Sequence, residues 1–162
     1  MEVLRDVLPT DSYFFTDIDA EGVPSRVNSS WRQRRVIEAV EFESRSDSNA
    51  VSTVLSGTVL PEDVTLAAVD PKKAVFFLLE ADDETIEKRL RARYSTPDAK
   101  NDLFRVTGFS LSQFVESSIA AKVGMRKLFQ KSSYTTHTID TTCKLPVKLA
   151  QEVKEMIMKY DA

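Results

Sequence analysis

Three short strings place oxygen-rich side chains where a chain leaves an extended run, and a fourth gathers cations. Asp17-Ile18-Asp19 closes an aromatic, β-branched stretch, Ser56-Gly57-Thr58 follows a second, and Asp140-Thr141-Thr142 follows a third. Arg89, Arg91 and Arg93 stand at alternate positions ahead of a Ser/Thr/Pro loop. Carboxylates at a strand tip orient a hydroxyl nucleophile or hold Mg²⁺ through water, and arginines neutralise charge spread over a phosphoryl group. Each string also has a plainer reading. Asp is common in turns, Ser56-Gly57 serves equally as a tight strand exit, and Glu87 four residues before Arg91 makes a solvated ion-paired face.

The elements needed to position these groups are legible from periodicity. Glu2 to Leu8 carries a helical apolar stripe stopped by Pro9, and Ser12 to Ile18 reads as a strand. Asn28 to Arg45 turns helical, with Trp31, Arg35, Glu38 and Phe42 along one side. Arg32, Arg34 and Arg35 read as helix surface. Ala50 to Leu55 is a second strand, and Pro61 with Glu62 and Asp63 opens a short helix. Ala74 to Ala81 (AVFFLLEA) predicts a strand buried on both faces, as parallel sheets require. Asp82 or Asp83 caps a helix to about Tyr94, which Pro97 breaks, and Ser110 caps a longer one to about Lys131. Tyr134 to Ile139 alternates as a strand, and Leu145 to Tyr160 is a closing amphipathic helix. His137 and Trp31 read as packed side chains and Cys143 as a small buried filler.

Strand–helix alternation of this kind predicts a three-layer α/β fold, a parallel sheet flanked by helices, within one domain over 1–162. Ligands then belong at the carboxyl ends of the strands. The 162 residues are 42% hydrophobic and 29% charged, which is ordinary for a globular chain. A net charge of −3 excludes bulk nucleic-acid wrapping. One cysteine and one histidine exclude an intrachain disulfide and a two-histidine metal site. The longest apolar run, Ala74 to Leu79, is too short for a membrane, and the expected setting is cytoplasmic.

Taken together, YFFTDIDAEGVP, WRQRRVIEAV, VLSGTVLPEDV, VFFLLEADDETIEKRLRARY and HTIDTTCKLPVKLAQEVKEMI resemble the P-loop nucleoside/nucleotide and small-molecule kinases. The resemblance covers nearly the whole chain and rests on order and on short strings. It implies Asp17 and Asp19 at the phosphoryl acceptor, one of them as base or metal-water ligand, with Arg26, Trp31 and Arg35 on the substrate side. It implies Arg89 and Arg93 as lid arginines, Ser56 and Gly57 at the Walker B end, and Thr141, Thr142 and Lys144 beside the nucleotide base. Mg²⁺ and ATP are implied in the same way, with a nucleotide or other small hydroxyl compound as partner.

The family's G-x-x-x-x-G-K-[ST] loop, whose N–H groups cradle phosphates, has no counterpart, because none of the four glycines is followed by lysine. Against the family pattern the chain lacks its first strand and phosphate loop, through truncation or through loss. By that analogy the missing strand is central, between the strands ending at Ser56 and Ile139, and its absence leaves unpaired sheet edges. Such edges suit homo-oligomers. Three readings follow: ATP-dependent phosphoryl transfer by a chain without the phosphate cradle, a non-catalytic kinase-like binding or assembly module, and an unrelated flavodoxin-like domain.

Overall fold

The computed structural model describes residues 2–9, 12–20, 22–25, 28–45 and 52–160. Among them the chain forms seven α-helices and four strands. In chain order these are α1 (Glu2–Arg5), β1 (Tyr13–Asp17), α2 (Ser29–Arg45), β2 (Ser52–Ser56), α3 (Pro61–Leu66), β3 (Val75–Glu80), α4 (Asp83–Arg93), α5 (Pro97–Thr107), α6 (Leu111–Lys131), β4 (Thr135–Asp140) and α7 (Pro146–Ile157). A 3₁₀ turn, Pro71–Lys73, leads into β3.

The helix starts follow from local chemistry. Asn28 Oδ1 accepts the Trp31 N–H at 3.0 Å, Asp82 that of Thr85 at 2.7 Å, and Thr96 that of Ala99 at 3.2 Å. Each supplies an acceptor to a first-turn N–H that has no partner within its own helix. Ser110 and Gln113 form a reciprocal capping box on α6. Pro61, Pro97 and Pro146 all occupy first-turn positions, where a missing N–H costs nothing.

Pro97 corrects one expectation. It begins α5 rather than merely ending α4, because Thr96 caps behind it and Gly108, at φ +76°, closes the helix in the left-handed conformation. Cys143 is a second correction, since it is exposed and fills no core position.

The strands are parallel but do not make one sheet. β1 pairs with β2, with Tyr13 opposite Ser52, and β3 pairs with β4, with Val75 opposite Thr135. No ladder joins the two pairs among the described residues. The mixed α/β character and the parallel pairing stand, whereas a continuous parallel sheet does not form. β3 was expected to be buried on both faces, yet none of its six residues is fully buried, and Leu79 is 53% exposed.

Two apolar clusters hold the pairs. Leu8, Tyr13 and Phe15 pack with Leu4, Val54 and Ile157, which ties β1 and β2 to α1 and α7. Val36, Val64 and Tyr134 form the other, against which both Leu55 of β2 and Phe76 of β3 pack. Phe76 also makes edge-on contacts with Phe129 and Tyr134 at 5.2 and 5.4 Å. The two sheets therefore share a core, and no ladder joins them among the described residues.

Candidate functional site

Parallel pairing in register brings Asp17 level with Ser56 at the carboxyl end of the first sheet. The Ser56 hydroxyl donates to Asp17 Oδ2 at 2.5 Å, and the other oxygen, Oδ1, accepts the Asp19 N–H at 2.9 Å. Both oxygens of Asp17 are thus engaged, and its carboxylate locks the tip rather than facing solvent freely. Ile18 N–H donates to the Ser56 carbonyl at 3.0 Å, which extends the ladder past the strand.

Gly57 is required by this closure. Its φ is +114°, and a Cβ there would lie 2.4 Å from Cγ1 of Ile18. The sequence resemblance gave Gly57 a nucleotide contact, but its surroundings give it a steric role. Arg35 supports the same tip by donating from Nε to the Ile18 carbonyl at 3.2 Å while pairing with Glu38 at 2.6 Å. Trp31 is half-buried in the first turn of α2, one helical turn before Arg35. Arg26 lies outside the described residues.

Asp19 differs from Asp17. Its carboxylate makes no hydrogen bond among the described residues, and burial pushes its pKa up, with a second push from the Asp17 charge. Arg93 opposes both, so the end of α4 lies close enough for its charge to be felt at the β1 tip. Arg105 of α5 reaches the same loop, donating to the Val23 carbonyl at 3.3 Å.

The second sheet ends differently. Arg89 donates to the Thr141 hydroxyl at 2.8 Å and to the Thr141 carbonyl at 2.6 Å. Thr141 is buried and donates a hydrogen bond from its own hydroxyl to the Glu80 carbonyl at 2.8 Å. Arg89 is held on the β4 exit, and among the described residues its guanidinium meets no carboxylate at ion-pair distance. Thr142 bridges Asp140 at 2.7 Å and the Asp82 N–H at 3.0 Å, which fastens the start of α4 to β4. These bonds hold Asp140 and Asp82 below the usual carboxylate range: each accepts bonds from Thr142 or Thr85 that favour the charged form. Lys144 pairs with Glu152 at 2.5 Å.

Arg89, Lys144 and Thr141 border a cavity of about 610 Å³ with Lys122 of α6, Ile86 of α4 and Leu149 of α7. Lys122 carries an ion pair to Asp83, and Arg126 forks onto Glu80.

The predicted residues therefore fall into two groups. Asp17, Asp19, Ser56, Gly57, Arg35 and Arg93 converge on the first tip, and Arg89, Thr141, Thr142 and Lys144 on the second. Sequence reasoning missed Lys122 and Arg126, which sit mid-helix in α6 with nothing local to mark them. It also missed the clamp behind the first tip. There Arg32 Nε meets the fully buried Asp63 at 3.3 Å, while the same Asp63 oxygen takes the Leu60 N–H at 2.9 Å. Its other oxygen has no partner among the described residues. An acid two residues after the Pro61 that opens α3 was the available signal.

Comparison with family models, with curated proteins and with solved structures gives no match. The Mg²⁺ and ATP that the resemblance implies would need a phosphate cradle and oxygen ligands for the ion. A triphosphate cradle needs open N–H groups around glycines, and Ile18 fills the space beneath Gly57, the one glycine at a strand tip. No three acidic, His or Cys side chains gather to hold an ion among the described residues.

Proposed function

We propose that the tip of β1 and β2 binds a small hydroxyl compound bearing an anionic group, as the acceptor side of a phosphoryl-transfer reaction. The observation that carries this reading is the division of labour between two neighbouring carboxylates. Asp17 is consumed in holding Ser56 and the Asp19 backbone, which leaves Asp19 with an uncommitted oxygen pair and a raised pKa. A carboxylate tuned upward is the better proton acceptor from a hydroxyl, provided it can reach one. Arg93 supplies a nearby cation for the anionic group, and Arg35 fixes the Ile18 carbonyl next to Asp19 in the chain.

In this reading Asp19 accepts the hydroxyl proton, Asp17 and Ser56 are positioning residues, and Arg89 keeps α4 on β4 so that Arg93 is correctly aimed. The phosphoryl donor's charge is not cradled by these residues. Calorimetric titration with Mg-ATP is accordingly expected to show no micromolar binding. Acceptor binding is tested by titrating the labelled chain with a panel of nucleoside monophosphates and following amide shifts. Shifts gathered at Asp17–Asp19, Ser56–Gly57 and Arg93, and weakened about tenfold by Arg93→Ala, support the reading. Shifts confined to the second tip, or none at millimolar ligand, reject it.

A further inference from the structure

Asp63 is fully buried, and two donors converge on one of its oxygens. Oδ2 accepts the Leu60 N–H at 2.9 Å and the Arg32 Nε–H at 3.3 Å, while Oδ1 has no partner among the described residues. A buried polar atom without a partner costs stability, and a buried ion pair is weak evidence for a stabilising role. What such a pair supplies is direction.

The two donors belong to different supports. Leu60 stands four residues past Ser56, on the segment that carries the chain from β2 into α3. Arg32 lies in the first turn of α2. The same two helices also meet through Val36 and Val64, which share one buried cluster. Apolar contact is non-directional, so it presses α2 onto α3 without fixing rotation of α2 about its own axis. The bond from Arg32 to Asp63, one helical turn from Val36, fixes that rotation.

Both supports meet again at Ile18. Its N–H donates to the Ser56 carbonyl at 3.0 Å, and its side chain fills the space beneath Gly57. Its carbonyl accepts the Arg35 Nε–H at 3.2 Å. Ser56 and Gly57 are the β2 exit. Arg35 follows Arg32 by three residues and so lies on the same side of α2. Rotation of the helix would carry Arg35 off that carbonyl, and Asp19 is the next residue in the chain.

We propose that Asp63 is a positioning residue for the Asp19 carboxylate, its Oδ2 joining the β2 exit to α2, the two supports between which Ile18 is held. The inference rests on the reading of Asp19 as the proton acceptor, and it adds to that reading a group that touches no ligand. It also sets Asp63 apart from a simple helix cap. A cap needs the Leu60 bond alone, whereas a joint needs the bond from Arg32 as well.

The test uses the full chain and two double variants that differ by one donor. Asp63→Asn with Arg32→Met removes both charges, keeps an oxygen for the Leu60 N–H and puts a methyl group where Nε stood. Asp63→Asn with Arg32→Gln is equally uncharged but keeps an N–H donor at the Nε position. Replacing a buried ion pair as a whole is often neutral for stability, so urea denaturation of both is expected to resemble the wild type. In the methionine pair, carboxyl-carbon NMR should find the Asp19 midpoint lower by about 0.5 pH unit, roughly threefold in its dissociation constant, toward the ordinary 3.8. Exchange at the Ile18 amide should quicken about tenfold. The glutamine pair is expected to match the wild type in both readouts. Val64→Ala loosens the same helix contact without touching Asp63, and should lower stability while leaving the Asp19 midpoint in place. In the wild-type chain itself, the Leu60 and Ile18 amides should open together, with the same urea dependence of exchange.

An unmoved Asp19 midpoint in the methionine pair overturns the proposal, as does an equal displacement in the glutamine pair or in Val64→Ala. If the methionine pair does not fold, independent opening of Leu60 and Ile18 in the wild type overturns it. Failure of the wild type to bind any nucleoside monophosphate rejects the phosphoryl-transfer reading instead, and the Asp19 midpoint still judges the joint.

Discussion

At the β1–β2 tip a carboxylate and a hydroxyl close the end of the sheet, and a second carboxylate is left over. At the β3–β4 tip a guanidinium closes it, bound to a hydroxyl and a carbonyl of one threonine, and the adjacent carboxylates each accept on one oxygen, Asp140 from the Thr142 N–H and hydroxyl and Asp82 from the Thr85 N–H. Two parallel pairs of similar length thus end in opposite electrostatic states. Asp19 is pushed up by burial and by a like charge, whereas Asp140 and Asp82 are held down by hydrogen bonds. A strand tip keeps a group to offer a ligand when its polar groups outnumber the bonds available to satisfy them.

The largest effects should distinguish what is buried from what is open within the second sheet. Ile139 is 2% exposed, and Ile139→Ala is expected to cost about 2–5 kcal/mol, while Leu79→Ala, directly opposite it on β3, should cost under about 0.5 kcal/mol. Urea denaturation of both variants checks the contrast. Similar losses would mean that the β3 edge is packed after all.

Next in size is Gly57→Ala, which forces a side chain into a positive-φ position and onto Ile18. A loss of about 1–3 kcal/mol is expected, with the β1–β2 tip loosened first in hydrogen exchange. The locks themselves should be comparable across the two tips. Ser56→Ala removes a hydrogen bond to a charged group and Thr141→Val removes the hydroxyl that Arg89 grips, each worth about 1–3 kcal/mol. A marked loss at one tip and none at the other would refute the parallel between them.

The smallest effects are the pH responses, and they have opposite signs. Asp19 has its folded pKa above the ordinary 3.8, so its ionised form works against the fold, and that penalty is relieved as pH falls through the raised value. Asp140 and Asp82 have folded pKa values below 3.8, so their contribution is present above that value and is lost as pH falls through the lowered ones. Asp19→Asn should therefore leave stability at neutral pH unchanged or slightly higher, and Asp140→Asn should lower it. Carboxyl-carbon NMR titration should find Asp19 protonating first. The reverse order would invert the assignment of the reactive tip.

Much of the secondary structure was legible because its signals are local. Asp82, Ser110 and Pro61 announce helix starts through bonds made within four residues, and the β-branched and aromatic runs announce strands. α5 was not legible, because Pro97 is compatible with both a break and a beginning, and only the Thr96 cap and Gly108 decide between them. Of the site, Asp17, Ser56 and the arginines of α4 could be named from their types. Their roles could not. Whether Asp17 is free or consumed depends on a hydroxyl 39 residues away, and whether Arg89 is a mobile arm or a rivet depends on Thr141, 52 residues away.

Apart from α5, the sequence alone determined the elements, their parallel sense and the oxygen-rich ends of three strands, since periodicity, capping and turn chemistry act over a few residues. Only the tertiary structure decided that the strands form two separate pairs, that Asp19 rather than Asp17 is left uncommitted, and that β3 keeps an open edge. Those outcomes depend on which backbone and side-chain groups find partners far along the chain, and partner count is a property of the packed molecule.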